Sequence, residues 1–335
     1  MAILIRGDGI AARCCRQLLG SAAFAPTHET TPRTPVPALL LSSRTQQLLC
    51  DVFENEDLFY GLPRIVARIV QWEGSSGPLR LPHSAVVAPE QELLGRLKSS
   101  ARHDRAANNR PSWTIFSSRP LPEPNAEHCF GSRVATVLPV DLADSAETSA
   151  CWIESLPNGW LFLLPAEQKR GWLLAVGAAH DNLLTESCLV ARQIGSLGPS
   201  AGQFPAHPAI ADPFCGIFEQ TRWLACGSAA LAFDPVCGDG TGNALREAIL
   251  ASAVIRAAGR GEPEAALLDH YRTRLLYGFS RHLQMCRDFY AAARQGPWWD
   301  AELELIARGL EYCERQTRNA SPFRYRLQGY ELHAV

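Results

Sequence analysis

A chain of 335 residues, 47% of them hydrophobic, can bury a full core and has room for two domains or for one large α/β body with an inserted layer. The net charge of -2, with lysine only at positions 98 and 169 and no basic cluster among the arginines, argues against a nucleic-acid binder. Eleven cysteines without a CxxC pair, an N-terminal apolar run too short for a signal peptide and no apolar stretch of ~18 residues point to a soluble, cytoplasmic protein with reduced thiols, no metal centre and no membrane span.

In chain order, Ala2 to Ile5 reads as a short buried strand, Gly7-Asp-Gly9-Ile-Ala-Ala12 as a turn, and Ile10 to Leu19 as a helix. The turn matches G-x-G-x-x-A, in which the first glycine makes the bend, the second admits a pyrophosphate and the small third residue lets helix and strand pack. The acidic residue expected about 20 positions later is Glu29, which sits in a proline-rich stretch and reads equally as a ribose ligand or a solvated loop residue. Apolar spacing from Ala38 to Phe53 predicts a helix with Ser42 or Ser43 as cap. Arg64 to Glu73 and Ala85 to Ala88 read as strands around a Gly/Ser turn, with His83 just ahead of the second. Pro89 to Leu97 reads as a helix with acids in its first turn.

Residues 99 to 112 read as an exposed connection. Trp113 to Ser117, Arg133 to Val140, Ala150 to Glu154, Gly159 to Leu164 and Gly171 to Val176 then predict successive strands without an intervening helix, hence a mostly antiparallel sheet. Trp152, Trp160, Phe162 and Trp172 give that sheet an aromatic face, either core or one wall of a pocket for a flat substrate. Leu183 to Ile194 reads as a helix, and a Gly/Pro-rich stretch from Gly195 to Pro213 follows.

Trp223 to Leu245 carries the strongest signal: a buried strand, a turn rich in glycine with Asp234-Pro235, and the start of a helix to about Ala258. Glycines there let a flat or anionic group approach bare backbone at a helix entrance. Beyond Arg260, helices are expected at Glu262 to Met285, Cys286 to Arg294 and Trp299 to Arg318, with Trp298-Trp299 packing a helix end or forming a partner surface.

Together these motifs, with Pro157-Asn-Gly-Trp160-Leu-Phe-Leu-Leu-Pro165 and Leu81-Pro-His-Ser-Ala-Val-Val87, resemble the p-hydroxybenzoate-hydroxylase-like flavoproteins, and among them the tryptophan-halogenase-like branch. The resemblance runs to about residue 260 and is most specific at 223–245. It implies an α/β fold: a Rossmann-type FAD-binding domain from residues 1–110 and 181–260, an inserted, mostly antiparallel substrate layer over 111–180 and a C-terminal helical region over 261–335. It places the FAD pyrophosphate at Gly7, Gly9 and Ala12, and the ribityl chain at Gly227 and Ser228, where serine replaces the family's aspartate. Phe233, Asp234, Pro235, Gly238, Gly240, Thr241, Gly242 and Asn243 would lie beside the isoalloxazine. Asp234, Pro235 and His83 are the flavin-adjacent catalytic candidates, with Trp160, Phe162 and Trp172 toward the substrate.

Halogenation is not expected, because the halogenase Trp-x-Trp appears only as Trp160-x-Phe162 and no lysine precedes Lys98. The shorter relatives of this branch are maturases of tryptophylquinone amine dehydrogenases and amino-acid oxidases. By resemblance, the chain would oxygenate tryptophan in a partner oxidase or dehydrogenase subunit, using O₂ and a flavin C4a-hydroperoxide, with FAD reduced by NAD(P)H or an external reductase. The alternatives are a flavoprotein-like binding partner or chaperone without turnover, and a small-molecule flavin hydroxylase or reductase.

Overall fold

The computed structural model describes all residues except 21–23, 25, 73–76, 98–109, 168, 294–295, 319 and 321–322. Lys98, the Gly/Ser turn near residue 75 and most of the expected connection at 99–112 lie outside the described residues.

A five-stranded sheet runs in the order Cys215–Phe218, Thr221–Ala225, Trp113–Phe116, Ile3–Arg6, Thr27–Glu29. All its neighbours are parallel except the Cys215–Phe218 edge. Parallel strands are covered on both faces and therefore read as unbroken apolar runs, and Trp113–Phe116 is buried at every position. Helix α1 (Ile10–Leu19) turns Ile10, Ala11, Cys14, Cys15 and Leu19 into the core. Trp113–Phe116, expected in the middle sheet, instead completes this one, because its apolar length suits a central parallel strand. Thr27–Glu29 is a strand despite the prolines that follow it.

Helix α2 is Ser43–Phe53, and Leu39–Ser42 ahead of it is a strand, not the first turn of the expected helix. Pairing of Leu39 with Ala88 and Leu41 with Val86 outweighs helical spacing there. The helix starts where the Ser42 side chain accepts from the Thr45 N–H at 3.3 Å. Helix α3 is Glu90–Arg96.

The second sheet has nine strands. Its path is Ile194–Leu197, Val134–Leu142, Arg170–Gly177, Gly159–Pro165, Ala150–Leu156, Arg64–Gln71, Leu79–Ala88 and Leu39–Ser42, with Gly202–Pro205 also on Val134–Leu142. Every pairing is antiparallel except Arg64–Gln71 with Ala150–Leu156. One face packs Leu161, Leu163 and Leu173 against Leu183, Leu189 and Val190. Leu183 belongs to helix α4 (His180–Glu186), which stops short of the expected Ile194. The reason is Glu154, a buried carboxylate that accepts from the N–H groups of Cys188 at 2.8 Å, Leu189 at 3.0 Å and Val190 at 2.8 Å and so bends the chain out of helix.

Helix α5 (Gly240–Gly259) returns the chain to the parallel sheet and packs on α1. Helix α6 (Glu264–Ala292) runs unbroken through Met285-Cys286, where two helices were expected. No glycine or proline interrupts it there, and Phe279, His282, Leu283, Cys286 and Tyr290 form one buried stripe. Helix α7 (Pro297–Thr317) begins after Gly296. Trp299 is fully buried, donates Nε1–H to the Leu156 carbonyl at 2.9 Å and meets Trp298 and Tyr290, so this tryptophan packs a helix end.

A buried ion cluster joins the layers. Arg133 donates Nε–H to Asp234 Oδ2 at 2.7 Å and Nη1–H to Glu302 Oε2, and its guanidinium lies 4.6 Å from the Tyr290 ring centroid. Burial opposes its charge, but Asp234, Tyr290 and Glu302 together raise its pKa. Removing one partner of such a cluster strands the others in a dry interior. Arg133→Met is expected to lower unfolding free energy by about 3–5 kcal/mol, measured by urea denaturation.

Candidate functional site

The turns after Ile3–Arg6 and after Thr221–Ala225 lie at the same edge of the parallel sheet, the C-terminal edge, where open α/β sheets take their ligands. At the first turn, Gly9 has φ 101° and is the N-cap of α1, which has no side-chain cap. The first N–H groups of α1 therefore have no partner within the helix and point at whatever occupies the turn. A Cβ on Gly9 would stand 2.5 Å from an Arg33 guanidinium nitrogen, so a cation lies against this positive helix end. Arg33 is in turn held by Glu90. Ala12 is buried against the sheet, and Glu29 ends its strand, exposed, with Arg6 Nε at 2.6 Å.

At the second turn, Gly227 has φ 60°, and a Cβ there would lie 3.2 Å from the Ala11 methyl. Two small residues let this turn press against α1. The Gly227 N–H donates to Glu247 Oε2 at 2.7 Å, and Ser228 is exposed. The chain then passes Phe233, Asp234 and Pro235 and enters α5. Asp239, its N-cap residue, does not cap the helix. Its carboxylate accepts instead from Thr45 at 3.0 Å and Arg246 at 2.8 Å. The leading N–H groups of α5, at Gly240, Thr241 and Gly242, thus form a second uncapped helix end, with Asn243 already bonded to the Asp239 carbonyl at 2.9 Å.

The named candidates fall into different environments. Asp234 is buried, with Oδ2 on Arg133 and Oδ1 accepting from the Val236 N–H at 2.8 Å; its carboxylate is a clamp. Pro235 opens the short turn Pro235–Cys237. His83 lies on Leu79–Ala88, half-buried, 3.4 Å from Arg68 Nη2, and a Cβ on Gly238 would stand 3.6 Å from the same nitrogen. Burial first, and then Arg68, hold the His83 pKa below its ordinary value. Trp160 is fully buried and donates to Tyr290 Oη at 3.2 Å, whereas Phe162 and Trp172 are partly open. Antiparallel register, with Leu164 opposite Trp172 and Leu163 opposite Trp152, puts these three on one face of the sheet and Trp152, expected with them, on the other, where it packs with Leu161 and Leu163.

Arg33, Arg68 and Arg133 escaped the sequence reading, since nothing near them in the chain marks them. Among the described residues, Ser118 Oγ, Arg13 Nε and Arg68 Nε are buried without a hydrogen-bond partner. Arg13 is in the first turns of α1, Ser118 lies where a Cβ on Gly7 would meet it at 2.4 Å, and Arg68 faces the glycine loop. Unspent donors at all three places suit an anionic ligand spanning both helix ends. A shallow surface depression lined by Leu58, Tyr60 and Arg96 contains none of these groups.

Similarity to solved structures is extensive. A peptidyl tryptophan dihydroxylase, QhpG, essential for tryptophylquinone cofactor biogenesis, matches with TM-score 0.75 and 18% identity over 99% of this chain and 86% of its own. CmlS, a flavin-dependent halogenase, matches with TM-score 0.75 and 16% identity over 95% of this chain and 71% of its own. The chain shares its α/β fold with these proteins over nearly its whole length. HpxO of Klebsiella pneumoniae, solved in complex with FAD, shares it with TM-score 0.59 and 13% identity over 96% of this chain and 98% of its own. No protein-family model and no curated protein matches the chain. No described helix is long and apolar enough to cross a membrane.

Glu247 links this site to pH. Burial lifts its carboxyl to about 8, against the lowering effect of the Gly227 N–H. Between the ordinary 4.5 of a glutamate and about 8, the folded chain keeps a proton that the unfolded chain releases. Stability from this group is full below that window and falls as pH rises through it, by up to about 1.4 kcal/mol per pH unit. Glu247→Gln is expected to flatten the fall, read as urea midpoint against pH.

Proposed function

We propose that the chain is an FAD-dependent monooxygenase that oxygenates tryptophan in a partner protein. The observation that carries the FAD reading is the meeting of two uncapped helix N-termini, α1 and α5, at one sheet edge with Arg33 beside the first. The α1 turn at Gly7, Gly9 and Ala12 fits a pyrophosphate, Glu29 a ribose, and exposed Ser228 a ribityl hydroxyl. The α5 end fits the electron-rich edge of a flavin, where a helix dipole favours negative charge. When bound, FAD would supply O₂ activation and oxygen transfer, with NAD(P)H or a separate reductase as electron source.

The protein's own part is positional. Asp234, fixed by Arg133, holds the loop ahead of Gly238 in place. Arg68 donates to His83 Nε2 at 3.4 Å, so the neutral ring carries its proton on Nδ1 and has that N–H to donate on the side away from Arg68. Phe162 and Trp172 offer a flat apolar wall for an indole, and Trp160 and Tyr290 back it. The partner-protein reading is supported by the likeness to a peptidyl tryptophan dihydroxylase over nearly the whole chain. Halogenation is not proposed, since Lys169, the described lysine, is a surface residue paired with Asp144.

Gly9→Val should abolish flavin binding, because a branched residue resists φ 101° and its side chain enters the cradle. The check is flavin absorbance of a variant whose circular dichroism is unchanged; normal flavin content would overturn the placement. Co-expression with candidate oxidase or dehydrogenase subunits should add oxygen to a tryptophan of the partner, read by peptide mass spectrometry. A yellow, reducible protein that never adds oxygen to any partner would leave a small-molecule hydroxylase or reductase. A colourless one that fails to take up FAD would leave a binding partner without turnover.

A further inference from the structure

Between the cofactor loop and α6 lies a cluster that the proposed function does not use. Cys237 closes the turn Pro235–Cys237, next to Gly238, and Cys286 is fully buried on α6. Their sulfurs are 3.8 Å apart, in van der Waals contact, although the residues are 49 positions apart in sequence. His282 sits one turn before Cys286, its Nε2 3.3 Å from the Cys286 sulfur, and its ring meets Phe233 edge-on at 4.8 Å. Of the pair, Cys237 is partly open to solvent and Cys286 is not.

We propose that Cys237 and Cys286 are a redox-active dithiol that hydrogen peroxide converts to a disulfide across the base of the cofactor loop. Cys237 is the sulfur that peroxide can reach. The Cys286 thiol, 3.8 Å away, and His282 favour negative charge on Cys237 against the opposing effect of burial, while burial and the same contact push the Cys286 thiol far up, so of the two sulfurs Cys237 is the nucleophile toward peroxide. The Cys237 thiolate attacks one peroxide oxygen, the O–O bond breaks, and hydroxide leaves and takes up the proton that Cys237 had released. Cys286 then attacks the sulfur of the sulfenic acid; the S–S bond forms, the S–O bond breaks, and the Cys286 proton leaves with the hydroxyl as water. Two thiols lose two electrons and two protons, and one peroxide becomes two waters.

The three ligand atoms of Cys237, His282 and Cys286 lie within 4.8 Å of one another, which also suits a thiophilic cation. The hydrogen bonding favours the dithiol. His282 Nε2 already accepts the Asp234 N–H at 2.9 Å, so a metal would have to displace a bond that holds the loop. A disulfide needs only the two sulfurs, which must close from contact to about 2.05 Å. Cys286 is fixed within a long helix, so the shorter turn carrying Cys237 is the part that moves, and Gly238 moves with it.

The test uses the whole protein, purified with dithiothreitol, freed of reductant and treated with hydrogen peroxide. Non-reducing peptide mapping should find Cys237 joined to Cys286 with the loss of two hydrogens, and dithiothreitol should restore both thiols. Cys286→Ala should stop the reaction at a Cys237 sulfenic acid trapped by dimedone, and Cys237→Ser should leave Cys286 unmodified. Absence of the joined peptide from the wild-type protein, or one equivalent of zinc that protects both cysteines from alkylation, would overturn the proposal. Flavin retention should fall on oxidation and recover on reduction. That last readout rests on the flavoprotein reading, whereas the cross-link does not, so failure of either is seen separately.

Discussion

One guanidinium holds the architecture together. Arg133 stands just ahead of the strand Val134–Leu142, Asp234 just ahead of the turn into the glycine loop, and Glu302 on α7, and all three side chains are out of water. The desolvation cost of a buried arginine is offset only while both carboxylates are in place. The cluster therefore locks the middle sheet, the loop before α5 and the C-terminal helices into a single arrangement. Ser132 strengthens it, donating Oγ–H to Glu302 at 2.6 Å. Asp234 thereby acquires a structural task that its position beside a glycine loop does not by itself suggest.

The second constraint is how closely two helix ends can approach. Ala11 on α1 and Gly227 after the parallel strand are small enough for near contact, and Glu247 on α5 ties down the Gly227 N–H from beneath. The result is one surface with two uncapped helix N-termini and arginines at its margins. Such a surface is costly unless something anionic covers it, because helix dipoles and cations of one sign repel. The exposed hydroxyl of Ser228 lies on this surface without a charge of its own. The glycine loop meets α6 through His282 and the two cysteines, so the same loop is held by an ion cluster on one side and by a pair of sulfurs on the other.

Much of the fold was legible in the chain. Continuous apolar strands, the glycine turn before α1 and the strand–turn–helix at 223–245 depend on local backbone freedom and burial, which residue type reports directly. Where local spacing and long-range pairing disagreed, pairing won. Leu39–Ser42 has helical spacing but is claimed as a strand by Leu79–Ala88. Trp113–Phe116 lies next to the middle strands in sequence and inserts between Ile3–Arg6 and Thr221–Ala225 in space. The helix after α4 fails because a carboxylate more than 30 positions earlier collects its N–H groups.

The sequence alone determined which backbone could bend and which could bury: the glycines that open two helix entrances, the aromatic face of the middle sheet, and the absence of an early lysine. Only the tertiary structure decided which charges meet. Arg33 reaches Gly9, Arg68 reaches His83 and the Gly238 loop, and Arg133 joins Asp234 to Glu302, across separations that carry no local pattern. The physical reason is range. Backbone preference acts over a few residues, whereas ion pairs and sulfur contacts act between any two groups that packing brings within a few ångströms, as it brings Cys237 to Cys286.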